Sequence, residues 1–300
     1  IESGKGVLVA APTGAGKTIV GEFAAYLAAE QGKKCFYTTP IKALSNQKYQ
    51  EFVDRFGEER VGLLTGDNSI NSDADIMVMT TEVLRNMLYT NSSTLLNLGF
   101  VVMDEVHYLA DKFRGAVWEE VLIHLMESVQ VISLSATVSN AEEFGEWLQA
   151  VRGDTEVIVS ENRPVPLYQH VLIGNRLIDL FNEDGSVNQA LFKTEREALR
   201  RIRTPRNRGR HDDENRLGRP EVIEKLQFNQ MLPVITFIFS RQGCDSAVKQ
   251  CLAANLRLTN TEEREEIRNT ALKYTSTINS EDLELLGHHE WLAALERGIA

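Results

Sequence analysis

The residues with the clearest chemistry are Ala11-Pro12-Thr13-Gly14-Ala15-Gly16-Lys17-Thr18. They lie between a predicted strand at 6–10 (GVLVA) and a predicted helix at 17–30, the setting of a phosphate-binding loop. Gly14 and Gly16 let backbone N–H groups turn inward around phosphate oxygens, and the helix start adds a favourable dipole. Lys17 would reach the β- and γ-phosphates as a point charge, and Thr18 would give a hydroxyl to Mg²⁺. Pro12, Thr13 and Ala15 complete the loop. Ala11 stands where the strict pattern has Gly.

Phosphate binding alone does not hydrolyse ATP, which also needs a metal carboxylate and a group that activates water. The run 100–107 (FVVMDEVH) ends an apolar strand in two adjacent carboxylates. Asp104 would hold Mg²⁺, Glu105 would orient and deprotonate the attacking water, and His107 would link the site to its surroundings. Ser135-Ala136-Thr137 follows another apolar run, 129–134 (VQVISL), and offers small hydroxyls that would relay nucleotide state.

These loops need a scaffold that brings several strand ends to one edge. Up to residue 160, short apolar runs at 6–10, 35–39, 60–64, 76–79, 100–103 and 129–134 alternate with helical patterns at 17–30, 45–56, 81–89, 116–126 and 140–151. The runs are continuous rather than alternating, the mark of a parallel sheet covered on both faces. The expected fold is therefore an α/β, RecA-like doubly wound domain over residues 1–162. The rhythm breaks at Arg163-Pro164-Val165-Pro166. A hairpin is expected at 167–181, then a mobile charged insertion at 193–219, which holds ten Lys/Arg against five Asp/Glu. The span 163–220 is read as linker and insertion. Residues 221–300 are read as the truncated start of a second RecA-like domain, with a buried strand at 232–239 (LPVITFIF) and a helix at 243–256.

The 300 residues are 43% hydrophobic and 25% charged, as in ordinary globular proteins. No apolar run approaches the ~20 residues of a membrane helix, so no membrane partner is expected. A net charge of −11 argues against a general nucleic-acid coat but not against a local groove. Three cysteines without a CxxC pair suggest reduced, buried thiols and a cytoplasmic setting. His288-His289 reads as a solvated turn, and Trp118, Trp147 and Trp291 as packing residues. The first residue is not Met, and the chain is expected to be part of a longer one.

The set APTGAGKT, DEVH and SAT resembles superfamily 2 helicases. The run Met103 to Glu120 (MDEVHYLADKFRGAVWEE) and the run Thr39 to Tyr49 (TPIKALSNQKY) are similar to the superkiller and exosome-associated RNA helicase group, most of all its actinobacterial HelY-type members. The resemblance covers 4–162 and resumes at 232–245. It implies an ATP- and Mg²⁺-dependent motor that moves 3′ to 5′ along RNA, with an RNA-degradation complex as a further partner. It also implies strand-backbone contacts at Thr39, Pro40 and Lys42, at Gly66 and Asp67, and at Thr80, Thr81 and Glu82. Ser240 and Arg241, after Phe239, match the first motif of the second motor domain. The family's adenine-reading aromatic and glutamine, and its arginine fingers, fall outside residues 1–300, so weak ATPase is expected of these residues alone. A DNA helicase of the same superfamily, or a nucleotide-gated RNA clamp, would share the same motifs. A transporter ATPase is disfavoured, because no LSGGQ-like segment is present.

Overall fold

The computed structural model describes residues 1–136, 141–202, 217–276 and 278–300. It divides into two compact units, Ile1–Leu167 and Tyr168–Ala300.

The first unit is built on one eight-stranded sheet. Its strands are β1 (Gly6–Ala10), β2 (Lys34–Thr39), β3 (Val61–Leu64), β4 (Ser69–Ile70), β5 (Ile76–Thr80), β6 (Leu98–Met103), β7 (Gln130–Ser135) and β8 (Thr155–Val159), in the order β4-β3-β5-β2-β6-β7-β1-β8. All pairings are parallel except β3 with β4. Helices α1 (Lys17–Glu30), α2 (Lys42–Phe56), α3 (Thr81–Tyr89), α4 (Gly115–His124) and α5 (Ala141–Arg152) form the crossovers. The parallel, doubly covered sheet is the RecA-like arrangement expected from the continuous apolar runs.

Neighbouring residues of each strand enter opposite cores, as the period of two requires. Val7, Val9, Cys35, Tyr37, Phe100, Val102, Ile132 and Leu134 pack with the small face of α1, Ala24, Ala25 and Ala28, and with Tyr49 and Phe52 of α2. Leu8, Phe36, Met77, Met79, Val101 and Met103 pack on the other side with α3, α4 and Leu148 of α5. Burial on both faces leaves no polar alternation to read. Burial also pushes the Cys35 thiol up to about 12.

Register brings the candidate segments to one rim. Ala10 pairs with Ser135, Met103 with Ser133 and Thr38, and Thr39 with Thr80. These pairs close the C-terminal ends of β1, β7, β6, β2 and β5. Ligands of open α/β sheets bind at this edge.

Two strands escape the sequence reading. β4 has only two residues, and β8 is a half-exposed edge strand.

In the second unit, β9 (His170–Ile173) and β10 (Arg176–Asp179) form the expected antiparallel hairpin. Helices α6 (Ala190–Ile202), α7 (Arg219–Phe228), α8 (Arg241–Ala253), α9 (Thr261–Thr275), α10 (Ser280–Leu285) and α11 (His288–Leu295) follow. Three expectations are corrected. Residues 193–202 of the expected mobile charged insertion belong to α6. The run 232–239 is not a strand and pairs with no described strand, and apolar content alone makes no ladder. Cys244 is exposed on α8, whereas Cys251 is buried.

Candidate nucleotide site

Strand β1 runs into a loop whose Gly14 and Gly16 both adopt φ of +85°, the left-handed region that disfavours side chains. Gly16 is the N-cap of α1, so the loop delivers the helix's first N–H groups to the rim. Lys17 folds back over the loop. Its Nζ donates to the Ala11 carbonyl at 2.6 Å and the Pro12 carbonyl at 3.0 Å. Pro12, Thr13, Gly14, Ala15 and Thr18 complete the turn, closed by Ala15 N–H donating to the Pro12 carbonyl at 3.2 Å.

Asp104 follows β6, with only β7 between β6 and β1. Both its oxygens are engaged. Oδ1 accepts from the Glu105 N–H at 2.9 Å, and Oδ2 accepts from the Tyr37 hydroxyl at 2.7 Å. Tyr37 is fully buried. Its own ionisation is pushed well above the ordinary range by burial and by the Asp104 charge.

Glu105 takes a left-handed backbone, φ 52°, which is costly for a residue with a side chain. Burial and the adjacent Asp104 raise its carboxyl pKa, while His107, Lys17 and Lys48 pull it down. A raised carboxyl pKa suits proton transfer. His107 Nδ1 lies 3.3 Å from the Glu105 carboxylate and 3.5 Å from the Ala136 N–H. One nitrogen therefore faces both the acidic motif and the segment after β7. The Ala11 N–H also donates to the Ser135 carbonyl at 3.1 Å, tying that segment to the phosphate loop. The Ser135 hydroxyl is buried without a protein partner. Thr137 lies outside the described residues.

Three further residues to which no role was assigned from the sequence join the site: Tyr37, Lys48 and Glu51. Lys48 of α2 donates to Thr18 Oγ1 at 3.2 Å and to Glu51 Oε2 at 2.6 Å. Thr18 Oγ1 and the Asp104 carboxylate are hard oxygen donors, the kind Mg²⁺ takes when phosphate and water supply the rest of its shell.

The expected strand contacts behave differently from one another. Thr39 and Thr81 are fully buried. The Thr39 hydroxyl bonds Ser45 Oγ at 2.7 Å, and the Thr81 hydroxyl donates to the Thr39 carbonyl at 3.3 Å. The hydroxyls of this pair brace the rim through these bonds. Pro40 is buried and Thr80 partly so, whereas Lys42 and Gly66 are exposed. Lys42 pairs with Asp67, whose carboxyl pKa that contact lowers. Arg114 was not anticipated. Its guanidinium donates to the Pro40 carbonyl at 2.7 Å and pairs with Glu82, joining two of the segments. In the second unit, Ser240 caps α8 by accepting from the Gly243 N–H at 3.0 Å, and Arg241 opens that helix exposed.

Residues 1–144 match the DEAD/DEAH box helicase family. This part of the chain is a DEAD/DEAH box helicase domain. Across its whole length the chain is 55% identical to "Probable helicase HelY" of Mycobacterium leprae, covering 34% of that protein. It is 38% identical to the chloroplastic "DExH-box ATP-dependent RNA helicase DExH15" of Arabidopsis thaliana, over 90% of this chain and 26% of that one. It is 34% identical to "Exosome RNA helicase MTR4" of Homo sapiens, over 100% of this chain and 29% of that one. The chain spans about a third of the length of the HelY relatives it matches. Among the described residues, no helix is long and apolar enough to cross a membrane.

Proposed function

We propose that the helicase domain binds Mg²⁺–ATP at the rim between β1 and β6 and hydrolyses it to drive movement along RNA. One observation carries this reading. Thr18 in the first turn of α1 and Asp104 and Glu105 just after β6 stand at the same rim, close enough that Lys17 and Lys48 both act on the Glu105 carboxyl.

Lys17 exchanges its two loop carbonyls for phosphate oxygens. Thr18 and Asp104 would hold the metal, and the Tyr37 hydroxyl, bonded to Asp104, would fix that carboxylate's orientation. A bound Mg²⁺ would supply positive charge that stabilises the negative charge of the transferring phosphoryl group. Glu105 takes a proton from the attacking water. His107 carries the change at Glu105 toward Ala136.

Residues 221–300 contribute to a second RecA-like domain, with Ser240 and Arg241 as its candidate strand contacts. Contacts made by Lys42, Gly66, Asp67 and helix starts reach backbone and give little sequence preference. RNA is the strand favoured, because DExH15 and MTR4 are both named RNA helicases.

In the intact protein, Glu105→Gln is expected to keep ATP binding and abolish hydrolysis, whereas Lys17→Ala weakens binding itself. Normal turnover by the Glu105→Gln variant would remove Glu105 from its role. Competition between matched RNA and DNA oligonucleotides tests the strand, since only a 2′-hydroxyl contact separates them.

A further inference from the structure

Lys48 stands out because its side chain is only 13% exposed and is committed to two groups at once. It donates to Thr18 Oγ1 on the phosphate loop and to Glu51 Oε2 one turn along its own helix, at 3.2 Å and 2.6 Å. Gln47 holds the other Glu51 oxygen at 2.8 Å. The helix that carries Lys48 begins at Lys42, two residues after Pro40, with Ile41 as its N-cap. Ser45, on the same helix, is bonded to Thr39. Lys48 therefore joins the nucleotide rim to the helix whose first turn carries the strand-contact candidates.

A threonine hydroxyl has one proton and two lone pairs. As an acceptor from the Lys48 ammonium, Thr18 spends a lone pair on a cation. Magnesium takes such an oxygen at about 2.0–2.1 Å. An ammonium left on Thr18 would then stand within roughly 4 Å of a dication, where like charges repel strongly in a partly buried site. The two cations compete for one hydroxyl, and Glu51 is the anion to which Lys48 retreats.

We infer that Lys48 is the positioning residue that couples metal–nucleotide occupancy at Thr18 to helix α2 and so to the strand-contact segment. This rests on the nucleotide-site reading above. Loss of the ammonium removes a competitor from Thr18. Loss of the Glu51 charge removes the place to which it withdraws. The two changes therefore act in opposite directions, which a merely structural role would not produce.

The test is equilibrium binding of a fluorescent, non-hydrolysable ATP analogue to the intact protein, titrated with Mg²⁺, with and without single-stranded oligo(A) RNA. Lys48→Met is expected to lower the half-saturating Mg²⁺ concentration by on the order of fivefold, and to erase the effect of RNA on nucleotide affinity. Glu51→Gln is expected to raise that concentration, and Lys48→Arg to keep the wild-type pattern. Melting temperatures confirm that each variant is folded. Should Lys48→Met fail to fold, Glu51→Gln and Lys48→Arg carry the test by themselves. Unchanged Mg²⁺ dependence in Lys48→Met, or shifts of the same sign in Lys48→Met and Glu51→Gln, would overturn the role of Lys48 alone. A wild-type protein without Mg²⁺-dependent nucleotide binding would overturn the nucleotide-site reading and this inference with it.

Discussion

Replacing Gly21 by Ala sets two opposed effects against each other on the inner face of α1. Ala in a helix interior is favoured over Gly by about 1 kcal/mol. A Cβ at this position would lie 2.7 Å from Tyr37 Cε2 and 3.1 Å from Val102 Cγ1. Neither neighbour has room to yield. Both are fully buried, the Tyr37 ring meets Phe52 edge-on with centroids 5.1 Å apart, and its hydroxyl is bonded to Asp104. Overpacking of this kind costs about 1–3 kcal/mol, and the short contacts put this case in the upper half of that range. The net expectation is a loss of about 1–2 kcal/mol. It should appear as a lower urea midpoint at unchanged slope, followed through the buried Trp118. The displaced ring also moves the phenol away from Asp104. The Mg²⁺ requirement for nucleotide binding should therefore rise in the same variant. A Gly21→Ala protein as stable as wild type, or less stable with an unaltered Mg²⁺ requirement, would refute the reasoning on one count or the other.

Arg152 donates to the carbonyls of Leu125, Met126 and Val129 at 2.7–2.8 Å and of Leu122 at 3.4 Å, at the C-terminal end of α4. Arg152→Met should cost about 2–4 kcal/mol in urea unfolding, and Arg152→Lys should recover little, because an ammonium lacks the planar fork. The Glu105 carboxyl is raised above its ordinary 4.5 by burial and Asp104. The folded state therefore holds that proton more tightly than the unfolded chain. Its contribution to stability is full below 4.5 and is lost as pH rises through the folded value. Glu105→Gln should flatten that part of a stability–pH curve recorded without Mg²⁺ and nucleotide. Ile235, Phe237 and Phe239 alternate along the chain and are 80%, 85% and 107% exposed. Phe237→Ser should measurably reduce binding of the dye ANS by the 300-residue chain, and an unaltered signal would place the dye elsewhere.

Parallel strands buried on both faces give long apolar runs that need no partner to be recognised, and β1, β2, β5, β6 and β7 were legible for that reason. The phosphate loop was legible because its glycines, lysine and threonine fall between such a run and a helix. β8 was not, because as an edge strand it exposes Ile158 and Val159 and exists through its pairing with β1. Helix α6 was hidden by its charge. Its inward stripe is Leu191, Thr194 and Ala198, and a count of large apolar residues sees only the first. The run 232–239 failed in the opposite sense. Its composition suits a buried strand, but a strand is a property of two segments, and composition describes one.

The same distinction separates the parts of the site. Lys17, Thr18, Asp104 and Glu105 were readable because each sits in a short stretch whose local backbone fixes its position. Tyr37 and Lys48 act through neighbours 67 and 30 residues away, and nothing within either stretch marks the partner. Tyr37 reaches Asp104 only because β2 lies beside β6, an order that follows from crossovers rather than from the residues of β2. Lys48 reaches Thr18 only because α1 and α2 cover the same face of the sheet. Arg114 likewise unites Pro40 and Glu82 from a third loop. Motifs thus point to the groups proposed to touch a reacting molecule. The groups that set its geometry, and that link one contact segment to another, emerge only once strand order and sheet face are known.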